Sequence, residues 1–258
     1  MNIKNKIFFK SSEKMNEIPD NTIDLIVTSP PYNIKINYGN KWNKRKIVSS
    51  KSIKYEDNLN EENYLKMIKK VSLECKRVLK KNGTVFFNLK NRLIDDEIRP
   101  PFWIIEFFKG LYLKNIIIWN FDWGGSTSRR FSSRYEYIFF FSKDKKKWTF
   151  NLDDIAIPSV NYRPDRYKTQ FKNPSDVWKI PLVSGNSIER TGHPAQYPEK
   201  LIERIILAAT NKKDLVLDPF MGSGTTANVA KKLGRNYVGY ETNKEYIDIA
   251  NNRLKKNV

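Results

Sequence analysis

The sequence predicts an α/β fold in which functional loops follow short buried strands. Residues 25–27 form an apolar run that leads into a proline-rich segment, and residues 215–217 form a second run that leads into a glycine-rich segment. In α/β proteins, ligand sites are built from loops at the carboxyl ends of the strands. We therefore predict that these two loops carry the functional site.

The first loop reads Thr28-Ser29-Pro30-Pro31-Tyr32 and combines a polar side chain, two prolines and an aromatic ring. Prolines fix the backbone and carry no N–H donor, so nearby carbonyl oxygens are rigid and free to accept hydrogen bonds. The tyrosine offers a flat face on which a base can stack. A planar ring that bears an amine fits such a pocket, although an ordinary proline turn can have the same sequence.

The second loop, residues 218–226, joins a buried strand to a helix that reaches about Leu233. This layout brings backbone amides and a helix N-terminus up to a cofactor, and Gly222 and Gly224 permit positive φ angles and close approach of a ligand. A further strand, residues 237–240, ends at Glu241, where a Rossmann-like unit holds ribose hydroxyls. The dinucleotide fingerprint G-x-G-x-x-G is absent, which favours a nucleoside without pyrophosphate over NAD. A helix-capping turn is the alternative interpretation.

Together these residues resemble the amino-group DNA methyltransferases, which methylate exocyclic nitrogens of adenine or cytosine from S-adenosylmethionine. Three elements match in order, namely residues 28–32, residues 193–200 and residues 218–226 with Glu241. The catalytic motif precedes the cofactor loop, as in the permuted β arrangement of the family. The resemblance covers most of the chain and implies a Rossmann-like fold with a mostly parallel seven-stranded sheet. It also implies a single methyltransferase domain over residues 1–258, with an inserted DNA-recognition region.

The resemblance assigns the catalytic role to Ser29, Pro30, Pro31 and Tyr32. An amine on a nucleobase is a poor nucleophile because its lone pair is delocalised into the ring, so it must be oriented for in-line attack on the sulfonium methyl group. The Ser29 side chain and the Pro30 carbonyl would accept the amine hydrogens. Tyr32 would stack on a base that has flipped out of the duplex.

The resemblance implies S-adenosyl-L-methionine as cofactor, S-adenosyl-L-homocysteine as product, and no metal. Asp218 would pair with the amino-acid end, Glu241 with the ribose, and Asn243 would lie near the adenine. The single histidine begins the segment along the methionine moiety, although a lone histidine is often a structural residue. The residues expected to bind the cofactor are His193, Asp218, Pro219, Phe220, Gly222, Ser223, Gly224, Thr225, Glu241 and Asn243. No spacing of Cys, His and carboxylate residues suggests a metal site.

The identity of the modified base depends on one position of the motif. In the family, serine at the first position of the tetrapeptide is usual for cytosine-N4 enzymes, whereas aspartate or asparagine is usual for adenine-N6 enzymes. Ser29 therefore favours cytosine N4 and leaves adenine N6 as the alternative. Ser11 and Ser12 stand where many relatives carry an acidic pair that contacts the adenine ring, which puts that contact in doubt. A DNA-binding protein that has lost activity is the rival from another class, and the intact motifs speak against it.

Charge favours double-stranded DNA as the partner. The chain has 47 Lys and Arg against 28 Asp and Glu, a net charge of +19, which suits electrostatic capture of phosphates. Part of this charge can reflect the Lys-, Asn- and Ile-rich composition expected from an A+T-rich genome.

Three segments are candidates for contact with DNA. Residues 33–60, with Lys44 and Arg45, read as a mobile DNA-contacting loop or a disordered insert. A loop that contains Arg129, Arg130 and Arg134 could hold phosphates beside a flipped base, or form a solvated turn. Prolines, charges and aromatics alternate over residues 143–191, which is the candidate target-recognition insertion.

The length of 258 residues suits one α/β domain with an inserted lobe but not a fused nuclease, so a cognate restriction endonuclease would be a separate polypeptide. The sequence shows no N-terminal signal and no long apolar span, which predicts a cytoplasmic protein of a prokaryotic cell with no membrane partner. Helices are expected around residues 12–18 and over residues 61–79, the second with Leu65, Ile68, Val71, Leu73 and Val78 on or near its buried side. The single cysteine, Cys75, lies in this helix and is expected to be buried, without a disulfide or a catalytic role.

Overall fold

The structure is a computed structural model that describes residues 2–34, 58–159, 163–166, 170–191, 193 and 195–256. In these ranges the strands are β1 (Lys6–Phe9), β2 (Ile23–Thr28), β3 (Leu79–Leu89), β4 (Arg92–Ile94), β5 (Glu97–Arg99), β6 (Tyr112–Asn120), β7 (Tyr135–Ser142), β8 (Ile157–Pro158), β9 (Phe171–Lys172), β10 (Val177–Lys179), β11 (Leu215–Asp218) and β12 (Asn236–Glu241). The helices are α1 (Glu61–Val78), α2 (Ile104–Phe107), α3 (Leu152–Ile155), α4 (Glu199–Ala209), α5 (Thr225–Lys232) and α6 (Lys244–Lys255), with a 3-10 turn at Pro101–Trp103. None of these helices is both long enough and apolar enough to cross a membrane.

The central sheet has the strand order β1-β12-β11-β2-β3-β7-β6-β10. All neighbouring strands are parallel except β7, which runs antiparallel to both β3 and β6. The predicted mostly parallel α/β fold is confirmed. The described part of the sheet has eight strands instead of the expected seven, because β10 adds to the edge beside β6. There Trp178 is buried opposite Trp119, whose indole N–H donates to the Ile180 carbonyl at 2.8 Å.

The central strands bury both of their faces. Successive residues of β2, β3 and β7 alternate between two apolar cores, so that Val85 and Phe87 face one core and Phe86 faces the other. The first core includes residues of α1 and α2, and the second includes residues of α4 and α5. Strands covered on both faces read as continuous apolar runs, which is why these strands were predicted from sequence.

Helix α1 forms where the periodicity predicts it. The Asn60 side chain caps its N-terminus by accepting from the Asn63 amide at 2.8 Å, and acidic and basic residues occupy its first and last turns. Cys75 is fully buried on its inner face, as expected. The prediction for Leu73 was wrong, since half of this side chain is exposed and the small Ser72 is buried in its place.

The helix predicted around residues 12–18 is absent, and the segment forms turns. Arg77 of α1 donates to the carbonyl oxygens of Met15 and Ile18, each at 2.9 Å, and Glu74 accepts from the Met15 amide at 2.6 Å. These side chains satisfy backbone groups that a helix would otherwise have paired. Met15 and Ile18 are fully buried beneath α1 without any helical repeat.

The proposed recognition region, residues 143–191, contributes little regular structure in its described parts. It holds α3, the antiparallel pair β8 and β9, and the edge strand β10. Most of the predicted mobile loop, including Lys44 and Arg45, lies outside the described residues. The domain boundaries and these two assignments stay predictions.

The two predicted functional loops meet because their strands are parallel neighbours. β2 and β12 flank β11 and run parallel to it, so the three strands end at the same edge of the sheet. Their last residues are Thr28, Asp218 and Glu241. The catalytic motif and the glycine-rich turn are about 190 residues apart in sequence, and Thr28 and Asp218 are joined by a hydrogen bond of 2.6 Å. The fold therefore gathers both loops at one place.

The glycine-rich turn depends on close packing against α6. Gly224 has φ +79°, and a Cβ built there would lie 2.7 Å from the Cβ of Ala250. Gly234 has a similar φ of +72° but has no atom within 4 Å of a Cβ. The two glycines thus share a backbone conformation and differ in the space beside them.

Alanine substitutions at these two positions should separate the energetic cost of a left-handed backbone from the cost of steric crowding. Gly234→Ala should cost only the left-handed backbone penalty of about 1–2 kcal/mol. Gly224→Ala should lose about 1–3 kcal/mol more, because α6 must shift. Urea unfolding of both variants measures this difference in the free energy of unfolding, and equal losses would contradict the packing of Gly224 on Ala250.

Candidate active site

A cavity lies between the two loops at the carboxyl edge of the sheet. It is open to solvent, and its empty volume is about 1010 Å³ when the solvent at its mouth is included. Its walls are formed by Lys10, Ser11, Ser12, Ser29, Pro30, Pro31, Tyr32, Met67, His193, Ala195, Gln196, Tyr197, Pro219, Phe220, Met221, Gly222, Ser223, Thr225, Tyr240, Glu241, Thr242 and Tyr246.

Asp218 lies behind the cavity wall and is fully buried. One carboxylate oxygen accepts from the Thr28 hydroxyl at 2.6 Å and from the Phe220 amide at 3.0 Å. The other accepts from the hydroxyls of Tyr197 at 2.7 Å and Thr226 at 2.6 Å. Burial raises the pKa of Asp218, and the four donors oppose that rise. The carboxylate therefore cross-links both loops and does not line the cavity.

Glu241 is held in a fixed orientation on the cavity wall. One carboxylate oxygen accepts from the Gly222 amide at 2.8 Å, and the other accepts from the Thr242 and Asn243 amides, each at 2.8 Å. Burial raises its pKa, and these amides oppose the rise. Asn243 is not on the wall, because its side chain caps α6 by accepting from the Glu245 and Tyr246 amides. Gly224 likewise faces α6 and not the cavity.

His193 packs over the turn at Gly222. Its ring centroid lies 4.4 Å from that of Tyr246, and its Nε2 would lie 3.3 Å from a Cβ on Gly222. Nδ1 accepts from the Ala195 amide at 3.2 Å, which places the proton of the neutral ring on Nε2. Burial lowers the pKa of His193 to about 4. The ring is therefore neutral at pH 7.

The catalytic motif carries a chain of polar contacts. The hydroxyls of Ser29 and Tyr32 lie 2.6 Å apart, and the Tyr32 hydroxyl donates to Glu136 at 2.8 Å. The amide nitrogen of Asn88 donates to Glu136 at 2.6 Å and also contacts the Tyr32 hydroxyl. Burial and the charge of Glu136 raise the pKa of Tyr32 well above its usual value. The hydroxyl end of Tyr32 is thus anchored, while the residue still lines the cavity.

Most of the predicted site residues come together in this cavity. All four residues of the tetrapeptide line it, as do His193, Pro219, Phe220, Gly222, Ser223, Thr225 and Glu241, whereas Asp218, Gly224 and Asn243 lie behind it. The buried Glu136 and Asn88 were not predicted as site residues, because each stands beside an apolar run of its strand and belongs to no motif. Tyr197 was not predicted either, although it lies within residues 193–200, which match the family.

The arginine loop between β6 and β7 lies at the same edge of the sheet, since it follows the carboxyl end of β6. Arg129 and Arg130 are exposed, and Phe131 between them and β7 is fully exposed. Arg134 instead donates to the carbonyl oxygens of Gly125 at 2.8 Å and Ser133 at 3.2 Å. Arg129 and Arg130 are therefore exposed in the part of the chain that the structure describes, while Arg134 contacts the backbone of the loop.

A DNA methylase family model, N6_N4_Mtase, matches residues 23–252, which is most of the chain. The chain belongs to this N6/N4 DNA methylase family. Type II methyltransferase M.HpaI of Haemophilus parainfluenzae is 39% identical over 93% of the chain and 70% of its own length. DNA adenine methyltransferase YhdJ of Escherichia coli is 35% identical over 93% of the chain and 79% of its own length.

Solved structures share the fold of this N6/N4 methylase. The cytosine-N4-specific PvuII DNA methyltransferase superposes with a TM-score of 0.70 at 19% identity, over 96% of this chain and 86% of that one. The M1.HpyAVI–SAM complex superposes with a TM-score of 0.63 at 25% identity, over 96% and 98%. The predicted family is thus confirmed. The comparisons include both adenine and cytosine-N4 enzymes.

The single histidine provides a direct test of the buried site. In untagged protein, NMR titration of the ring protons of His193 should give a midpoint near 4, and not the ordinary value near 6.5. Because the folded pKa lies below the unfolded one, the unfolded chain binds the proton more tightly. Stability from this residue should be full above pH 6.5 and fall as the pH drops towards 4, by up to about 3 kcal/mol.

A His193→Gln variant is the control for this pH dependence. The raised pKa values of Asp218 and Glu241 act in the opposite direction, and they cancel when the variant is compared with the unmodified protein. The difference in the free energy of unfolding between the two proteins should therefore change between pH 7 and pH 5. A midpoint near 6.5 in the folded protein would show that the ring is solvated.

Proposed function

We propose that the chain transfers a methyl group from S-adenosyl-L-methionine to the exocyclic N4 amine of cytosine in double-stranded DNA. The observation that carries this proposal is one cavity walled by both Ser29–Tyr32 (residues 29–32) and the glycine-rich loop with Glu241. Such a cavity can hold a base and a cofactor in contact. Family membership supplies the reaction class, and solved relatives in complex with S-adenosylmethionine support the cofactor.

The residues on the wall fit this cofactor. Glu241 has an acceptor carboxylate fixed by three amides, which suits ribose hydroxyls as donors. Gly222 has φ +52° and no side chain, so the backbone can approach the ligand. Phe220 and Tyr246 supply apolar surface. When bound, the cofactor would supply an electrophilic methyl group on a sulfonium.

Asp218 has a different proposed role from the one expected from sequence. Its four hydrogen bonds occupy both carboxylate oxygens, so it does not need a ligand to satisfy its charge. We assign it to holding the loop at Phe220 and the ring of Tyr197 in place. Asn243 and Gly224 act in the same indirect way, by capping α6 and by packing on it.

Ser29, Pro30 and Tyr32 provide the chemistry on the base side of the cavity. The Ser29 hydroxyl and the Pro30 carbonyl accept the two amine hydrogens, which directs the nitrogen lone pair out of the ring plane for in-line attack. In this position the amine nitrogen would accept the methyl group from the sulfonium, whose C–S electron pair would stay on sulfur, and the amine would then release one proton to solvent. Tyr32 stacks on the base, which must leave the duplex to reach this depth.

Cytosine N4 is favoured over adenine N6 by the serine at position 29. An adenine N6 activity is the second candidate, because the adenine methyltransferase YhdJ is 35% identical over 93% of this chain. The PvuII enzyme, which is cytosine-N4-specific, is similar in fold at a lower identity of 19%. Both activities use the same cavity and differ in the size of the ring beside Tyr32.

DNA binding is assigned to the basic surface at the carboxyl edge. Arg129 and Arg130 are exposed there, the chain carries a net charge of +19, and Lys44 and Arg45 add to the cations of the predicted loop. Type II methyltransferases among the relatives support a place in a restriction–modification system, where a cognate restriction endonuclease would be the partner. The site of action would then be the cytoplasm of a prokaryotic cell.

Nucleoside mass spectrometry of DNA from expressing cells tests the proposed function. N4-methylcytosine should appear in a host that lacks its own cytosine-N4 and adenine-N6 methylases. It should disappear with Tyr32→Ala, which loses base stacking worth about 1–3 kcal/mol. An exposed change on α4, Glu203→Gln, is the matched control and should keep the modification.

The other outcomes are equally specific. N6-methyladenine alone would replace cytosine by adenine as substrate and leave the site assignment intact. Neither modified base, on any duplex and with cofactor bound, would favour a DNA-binding protein that has lost activity.

A further inference from the structure

Glu136 is a buried carboxylate beside the catalytic motif, contributed by the antiparallel strand β7. It is only 8% exposed and pairs across the sheet with Trp119 of β6. Its side chain reaches the Tyr32 hydroxyl at 2.8 Å and the Asn88 amide nitrogen at 2.6 Å. Both contacts are donors, which is the arrangement that an ionised carboxylate requires.

The numbers of donors and acceptors determine which group donates in each of these hydrogen bonds. An ionised carboxylate only accepts, so the single proton of the Tyr32 hydroxyl is donated to Glu136. The Tyr32 oxygen is then an acceptor, and its neighbours are Asn88 and the Ser29 hydroxyl at 2.6 Å. The proton of Ser29 therefore points at Tyr32, and the Ser29 oxygen has only lone pairs for other partners, with the Asn88 amide nitrogen already 3.4 Å away as a donor.

We propose that Glu136 is a positioning residue that orients this hydrogen-bond chain, so that Ser29 presents an acceptor and not a donor to the target base. The inference rests on the proposed function, since it concerns how the same cavity recognises its substrate. Asn88 supports the direction, because its amide nitrogen faces Glu136 while its buried oxygen has no partner among the described residues.

The consequence is a choice of chemical group. An acceptor at Ser29 binds the hydrogens of an exocyclic amine, whereas a carbonyl oxygen at the same place would face a second acceptor. A mismatch of this kind leaves buried polar groups unpaired, which disfavours binding of that base. Glu136 would thus select bases with an exocyclic amine in the reacting position, whichever of cytosine or adenine is the substrate.

Glu136→Gln tests this role, because it keeps the shape but removes the charge and adds a donor. Tyr32 is then no longer forced to donate, and the Ser29 proton can turn into the cavity. We expect kcat for methyl transfer to duplex DNA to fall at least about 10-fold, while KM for DNA and calorimetric affinity for S-adenosylmethionine change less than about 2-fold. Glu203→Gln on α4 is the control, with kcat unchanged.

A double-mutant cycle with Tyr32→Phe separates a loss of hydroxyl orientation from a general disturbance of the site. Without the hydroxyl the chain from Glu136 to Ser29 is cut, so Tyr32→Phe should lower kcat by a similar factor. Adding Glu136→Gln to Tyr32→Phe should then change kcat by less than about 2-fold. If Glu136→Gln does not fold, Tyr32→Phe carries the test alone through the same kcat and KM measurements.

Three results would overturn the inference while the proposed function stands. They are an active enzyme whose kcat is unchanged by Glu136→Gln, fully additive losses in the cycle, and a folded Tyr32→Phe enzyme with unchanged kcat. An unmodified protein that transfers no methyl group to any duplex would instead overturn the proposed function itself.

Discussion

The carboxylate of Asp218 is the interaction on which the geometry of the site depends. It is fully buried at the end of β11 and receives four hydrogen bonds from groups on β2, the segment before α4, the glycine-rich turn and α5. A buried charge is tolerated only when it is paired or fully hydrogen-bonded, so these four groups must stay in place together. Removing one donor weakens the hydrogen bonding of the carboxylate. Removing the carboxylate itself leaves several buried hydroxyls without an acceptor. The proline-rich loop after β2 and the glycine-rich loop after β11 are therefore fixed to one another through their shared support.

The antiparallel strand β7 supplies what the parallel strands cannot. Parallel strands bring their carboxyl ends to one edge, whereas β7 brings its amino-terminal end there. Glu136 is the second residue of β7, and its position at this edge places a carboxylate beside Tyr32. The two buried carboxylates contact different parts of the site. Asp218 holds the loops together, and Glu136 accepts from the Tyr32 hydroxyl and the Asn88 amide.

Sequence predicts those parts of the candidate site that directly follow a strand in the chain. Apolar strands lead into Ser29 to Tyr32, into the turn at Gly222 and into Glu241. Parallel neighbouring strands end at the same edge of a sheet, so the fold class predicts that these residues converge. Sequence also places Asp218 after a strand, but it does not say whether that carboxylate faces a ligand or four internal donors. The cap role of Asn243 was hidden for the same reason.

The remaining features depend on tertiary contacts that leave no local pattern. Glu136 and Asn88 are brought together only by the pairing of β3 with β7. Residues 12–18 lose their predicted helix because Arg77, about 60 positions away, satisfies their carbonyl groups. The edge strand β10 is three residues long, and its buried Trp178 is paired across the sheet with Trp119.

Calorimetric titration of S-adenosylmethionine tests the central claim, that the cavity between the two loops is the cofactor site. The unmodified protein should bind one equivalent. Gly222→Val places a branched side chain at φ +52° beside His193 and should lose at least about 100-fold in affinity, about 2.7 kcal/mol. Gly234→Val has a similar φ of +72° but open space around it, and should bind normally. A folded Gly222→Val protein with unchanged affinity would contradict the account.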